Sequence, residues 1–177
     1  MRKLAPTKLF TPGFVPKHTI SPIAHRYLTA KQHPIQPKVQ YMCDNRDPNT
    51  LWWRVSTSRI YNYKRVVRSR AARKARAAFT EELKTRGFDA EGRRLGSDTS
   101  GSAFIDGFSG NMTGTLSITL APACIEGNYA AFQKEMKTTM DALIHEQQKI
   151  QITQNKRSER GQRSARPSAN SQGIGRR

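Results

Sequence analysis

The chain has 177 residues, enough for one domain with extensions, and carries 31 Lys or Arg against 13 Asp or Glu, a formal charge of +18. So basic a balance points to polyanionic partners, nucleic acid or an anionic membrane surface. No apolar run approaches the length of about 18 residues that a spanning helix needs, and the two cysteines, Cys43 and Cys124, supply neither a disulfide framework nor a metal-ligand spacing.

The charge is segmented. Residues 1–43 carry +7 and no acid, 44–86 carry +8, 87–155 carry −3 and 156–177 carry +6. A mildly acidic body therefore stands between basic elements. Pro6, Pro12, Pro16, Pro22, Pro34 and Pro37 punctuate the first stretch and preclude a long helix there. With its apolar residues scattered, segment 1–50 is expected to be an extended basic arm that orders only against a partner. An acid-free, hydroxylated, basic composition also fits a mitochondrial targeting segment over residues 1–27, with the mature chain starting near Leu28. The prolines spoil the amphipathic helix of such a segment, so both readings stay open.

Asp47-Pro48-Asn49-Thr50 predicts a turn. Leu51–Val55 follows as a short strand. Trp52 and Trp53 must then point to opposite faces. One can join the core while the other meets a base, a sugar or a protein; core packing with partial exposure and base stacking are both open.

Ser56-Thr57-Ser58 is a candidate cap and Gly87 a candidate end for a long helix. Between them Ile60, Tyr63, Val67, Ala71, Ala75 and Ala78 recur at steps of three and four and predict one apolar face. Arg65, Arg68, Arg73 and Arg76 fall on the other side, and Arg70 and Lys74 flank the seam. Together with Arg59 and Lys64 these are the candidate RNA-binding residues. Guanidinium groups fork onto phosphate oxygens and keep their charge, so an Arg-rich run suits phosphate better than general solubility does. The competing readings are a solvated helix face and a membrane-surface helix, which the mostly alanine seam fits less well. A leucine-zipper basic region is excluded, because no leucine heptads follow.

Residues 88–102 predict a polar, Gly-rich loop. Ala103-Phe104-Ile105 and Thr115–Leu120 predict two strands, the second half-buried, with Leu116, Ile118 and Leu120 inward. Asn128 is a candidate cap for a second helix, on which Tyr129, Phe132, Met136, Met140, Leu143, Gln147 and Ile150 predict a core face. From residue 153 a basic disordered tail is expected. The fold class is thus α+β: a small domain over 51–152 with a long basic helix, a short antiparallel sheet and a C-terminal amphipathic helix, flanked by the arm and the tail.

No catalytic pattern emerges. His18, His25, His33 and His145 lack a second ligand at helical spacing. There is no Gly-Lys-Ser/Thr phosphate loop, and Gly107-Phe108-Ser109-Gly110 lacks the spacing of a nucleophile elbow. The chain is read as not an enzyme, with no cofactor, no metal and no small-molecule substrate.

The acid-free arm, the basic helix 59–86 and the basic tail give a construction that resembles mitochondrial ribosomal proteins, in particular lineage-specific accessory ones. That resemblance is one of overall construction without a diagnostic motif. It implies a location in the mitochondrial matrix, with rRNA and neighbouring ribosomal proteins as partners. The alternatives are a transient RNA-binding assembly or processing factor, in mitochondrion, cytoplasm or nucleus, and a peripheral membrane or protein-complex subunit.

Overall fold

The computed structural model describes residues 2–30, 32–95 and 110–164. Within them the elements run β1 (Arg2–Lys3), β2 (Phe10–Val15), α1 (Pro22–Thr29), α2 (Gln36–Asp44), β3 (Leu51–Ser56), a 3-10 turn (Ser58–Ile60), α3 (Arg65–Thr85), β4 (Gly114–Leu120), a second 3-10 turn (Pro122–Cys124) and α4 (Tyr129–Ser164). The class is α+β. The strand order is β1-β2-β4-β3.

Alternation dictates which side of each strand is dry. Phe10, Pro12 and Phe14 lie opposite Leu120, Ile118 and Leu116 in the antiparallel β2–β4 register. Leu51, Trp53 and Val55 carry the same face across the parallel β3–β4 register. This face packs on α3 and α4. Phe132, Met136, Met140 and Leu143 of α4 are fully buried, as are Ala75, Ala78, Phe79 and Leu83 of α3. Phe10 stacks on Phe132 with ring centroids 6.3 Å apart, and Trp53 tilts onto Phe79 at 4.6 Å. Each large side chain so buried stabilises the fold by about 1.5–3 kcal/mol. The α4 stripe is the predicted one, from Phe132 through Gln147, whose side-chain amide donates to the Thr113 carbonyl at 2.5 Å.

Five expectations change. The first is the arm. Residues 10–15 are a strand of the sheet, and Leu4, Leu9, Phe10 and Phe14 belong to the core. Pro12 is tolerated because β1 pairs only with Gly13 and Phe14, which leaves β2 an edge strand at Pro12. Prolines further on start short helices instead of preventing them. Pro22 opens α1, where the Ser21 hydroxyl caps by accepting from the Ala24 N–H at 3.1 Å, and α2 also has proline in its first turn. Neither α1 nor α2 buries a residue.

The second change is the sheet, which is mixed and not antiparallel. The crossover from β3 through α3 to β4 is long enough to bring two parallel strands side by side. The predicted strand 103–105 lies outside the described residues. Third, Thr115 and Ser117 on the hydroxyl-bearing face of β4 are buried and not half-solvated, because the segment after β2 crosses that face: the Thr115 hydroxyl accepts from the Thr19 N–H at 2.8 Å and donates to the Lys17 carbonyl at 3.1 Å. Fourth, Ser56-Thr57-Ser58 leads into the 3-10 turn and not into α3. Ile60 is buried from that turn, Tyr63 is exposed, and α3 begins at Arg65. Fifth, α4 continues to Ser164, into the segment expected to be tail. Its Gln-, Lys-, Arg- and Glu-rich sequence has good helix propensity, and a helix already nucleated by packing propagates at little cost. Residues 165–177 lie outside the described ones.

Gly114 closes the passage from β2 to β4. Its φ is +99°, and a Cβ there would lie 2.6 Å from the Val15 carbonyl oxygen and 3.1 Å from that of Pro16. Gly114→Ala is therefore expected to lose about 1–3 kcal/mol through the backbone alone. A melting curve should show the midpoint lowered by roughly 5 °C or more. An unchanged midpoint would mean that the β2–β4 junction is looser than this geometry.

Candidate nucleic-acid interface

The basic helix α3 has a divided character. Its C-terminal half is tied to α4. The Glu81 carboxylate accepts from the Tyr129 hydroxyl at 2.7 Å and the Gln133 amide at 2.9 Å. These hydrogen bonds hold Glu81 below the ordinary carboxylate range, and the Tyr129 hydroxyl is correspondingly pushed up. Arg86 pairs with Glu82 at 2.6 Å and with Asp141 at 2.5 Å. The carboxylates of α3 are thus committed to its end.

The arginines nearer its N-terminus have no such partners among the described residues. Arg65, Arg68, Arg73 and Arg76 gather around a shallow groove of about 480 Å³ between α3 and β3. Ser69 and Ala72 form its floor, and Val55 and Thr57 its far wall. Helical spacing explains the grouping: 65, 69, 72 and 76 share one stripe, with 68 and 73 to either side. Among the described residues none of the four arginines makes an ion pair or a side-chain hydrogen bond. The Nε of Arg68 is enclosed and has no partner.

This end is also the positive end of the helix dipole. The first turn holds no acid, and the N-cap residue Lys64 offers no side-chain cap. Cations at that position are unfavourable and anions favourable. The uncapped helix N–H groups, the unpartnered Arg68 Nε and three further arginines are together suited to a multiply anionic ligand.

The other predicted residues are placed differently. Arg70 is exposed on the far side of α3. Lys74 is half-buried, and its ammonium donates to the Gly127 carbonyl at 3.0 Å, tying α3 to the turn before α4. Arg59 leaves the 3-10 turn and donates to the Thr11 hydroxyl of β2 at 3.1 Å. Arg68 departs from expectation as well. It faces β3 instead of the outer side, because the seam at this end of the helix meets the strand edge and not the core.

The two tryptophans point opposite ways, as a strand requires. Trp53 is on the core side, with its indole N–H donating to the Ala90 carbonyl at 2.8 Å and its ring against Phe79. That ring is no platform for a base. Trp52 is on the open side. Its indole N–H donates to the Asp47 carbonyl at 3.1 Å, and both the His18 ring and the Arg46 guanidinium lie 4.6 Å from it. No sequence signal points to Arg46 or His18, because both reach Trp52 from segments whose prolines and scattered apolar residues carry no period.

Cys124 is buried, which pushes its thiol up, and Cys43 is half-buried on α2. Among the described residues no group of three or more His, Cys, Asp or Glu is placed to hold a metal ion, and no helix is long and apolar enough to cross a membrane. No family model matches this chain, and comparisons with curated proteins and with solved structures find no match either.

Proposed function

We propose that the protein binds structured RNA through its phosphates, as a non-catalytic component of a ribonucleoprotein. The observation that carries this reading is the cluster of Arg65, Arg68, Arg73 and Arg76 over the first twelve residues of α3, paired with no carboxylate among the described residues. Four guanidinium groups held this close repel one another, and a run of phosphodiesters relieves that repulsion. The overall charge of +18 supports the same class of partner.

The assembly we propose is the mitochondrial ribosome, with rRNA and adjoining ribosomal proteins as the contacts. Its support is the likeness of construction and the mildly acidic segment 87–155, which suits protein neighbours. A chain processed near Leu28 would lack β1 and β2, so the form in the complex should retain residues 1–27.

Sucrose-gradient sedimentation of a mitochondrial extract tests both points. The expected result is co-migration with one ribosomal subunit, release by ribonuclease, and an intact mass that includes residues 1–27. Migration at the top of the gradient under low salt, or binding to anionic liposomes in the absence of RNA, would overturn the proposal.

A further inference from the structure

β3 has a second groove on its other flank. It lies between the α1–α2 pair and the open face of the sheet and measures about 710 Å³, within the range of about 300–1,000 Å³ typical of small-ligand sites. Ile23 and Tyr27 of α1, Met42 of α2 and Trp52 of β3 form its walls.

The charges around it do not balance. Arg93 pairs with Asp47 at 3.2 Å and with Glu91 at 3.1 Å, which occupies both acids of the rim. Arg46 and Arg54 also line the groove, and among the described residues neither makes an ion pair. The Nε of Arg54 is enclosed and has no hydrogen-bond partner. An arginine without an ion pair can donate through its terminal nitrogens to an anionic oxygen.

The aromatic wall is held in place from behind. The backbone carbonyl of Asp47 fixes the Trp52 indole, and that of Pro48 lies 2.5 Å from His18 Nε2. Arg46 lies over Trp52 with its Cζ 4.6 Å from the ring centroid. Guanidinium planes and aromatic rings are the surfaces on which bases stack. Trp52 and Arg54 share one face of the strand, two residues and about 6.6 Å apart, which is comparable to the span from a base to its own phosphate.

We propose that this groove takes one nucleotide unit, with the base against the Arg46–Trp52 stack and Tyr27 and the phosphate accepting from Arg54. The source we assign is an unpaired nucleotide of the RNA bound at α3, and in that respect the inference rests on the RNA reading. β3 is the common wall of both grooves. The Glu91 carbonyl accepts from the Leu51 N–H at the start of its outer edge, and a strand passing over that edge beyond Leu51 reaches Arg68 on one side and Arg54 on the other.

The test uses the full chain and adenosine monophosphate as the probe, read by tryptophan fluorescence. A saturable change is expected, absent in Trp52→Phe. Arg54→Gln should weaken binding about tenfold or more, as loss of a charged hydrogen bond does, and Arg54→Lys should restore part of it. Ribose 5-phosphate, which has no base, should bind more weakly. A second arm compares a fully paired RNA duplex with one bearing a single bulged nucleotide. The wild type should prefer the bulge, and Arg54→Gln should erase that preference while keeping the salt dependence. AMP binding without a bulge preference would support the nucleotide groove with free nucleotide as its source. Equal AMP affinity in wild type and in a folded Arg54→Gln variant would overturn it. The α3 reading fails separately. A variant with all four α3 arginines changed to glutamine should keep AMP affinity while losing RNA affinity, and unchanged RNA affinity there would reject α3 alone.

Discussion

Deletion of residues 1–20 is expected to abolish the cooperative melting transition, although this stretch has the composition of a dispensable arm. β2 supplies six register pairs to β4, from Phe10 opposite Leu120 to Val15 opposite Thr115. Phe10 and Phe14 are fully buried, and Leu4 and Leu9 nearly so. The Leu9 N–H also donates to the Glu135 carboxylate of α4 at 3.0 Å. Truncating one buried phenylalanine to alanine costs about 3–5 kcal/mol, and a domain has only about 5–15 kcal/mol in total. Losing both phenylalanines and the strand that holds them exceeds that reserve. Thermal melts of fragment 21–177 and of the full chain, followed by near-ultraviolet circular dichroism, make the comparison. A native-like transition in the fragment would remove β2 from the core. Trypsin should first nick the full chain at exposed sites such as Arg26 and Lys38, on helices that bury no side chain, and spare β2.

Replacing Arg65, Arg68, Arg73 and Arg76 together by glutamine should reduce affinity for structured RNA by on the order of 100-fold at low salt, and the log–log salt slope should fall by about one unit for each phosphate that is no longer neutralised. All RNA sequences should suffer alike, because binding to phosphates conveys no base information. The melting midpoint should barely move for the three exposed arginines, since such changes shift stability by less than about 0.5 kcal/mol. Arg68 is half-buried with its Nε enclosed and unpartnered, and replacing it should be neutral or stabilising. Lysine at all four positions should retain part of the affinity, as charge without the fork. Ala75→Asp should do the opposite. It places a carboxylate in a fully buried position and should unseat α3 from the sheet before RNA binding is measured. RNA titrations across a salt series with parallel melts separate these outcomes. A folded glutamine variant with unchanged affinity and slope would make the arginine run a solvated face or a protein-binding surface.

The two helical faces and β4 are legible in the sequence because burial on one side writes a period into it. Phe132, Met136, Met140 and Leu143 step along α4, Ala71, Ala75 and Ala78 along α3, and Leu116, Ile118 and Leu120 alternate on β4. β2 is not legible. Phe10-Thr11-Pro12-Gly13-Phe14-Val15 alternates inward at 10, 12 and 14, but proline and glycine at its middle read as a loop unless the absence of a full neighbour on β1's side is known. The parallel pairing of β3 is hidden for a related reason, since register between strands separated by α3 is decided in space. Of the site, the arginine stripe is visible in the helical period. The enclosure of Arg68 and Arg54 is not, because each depends on which flank of β3 lies against a helix.

The order of the strands has a consequence for how the chain comes to be folded. β4 is the strand that joins the other two long ones, yet among the described strands it is the last to be made: Val15 meets Thr115 and Phe10 meets Leu120, a hundred residues or more along the chain. At a synthesis rate of about 5–20 residues per second, β2 waits for its partner for about 5–20 s. Pairings this distant slow folding, because the loop entropy must be overcome before the strands give anything back. During that interval Phe10 and Phe14 have no dry surface to enter, and a chain halted before Gly114 lacks the strand that joins β2 to β3. Rapid, spontaneous refolding is therefore not the behaviour to expect. A nascent chain lacking β4 should be held by chaperones until that strand is complete.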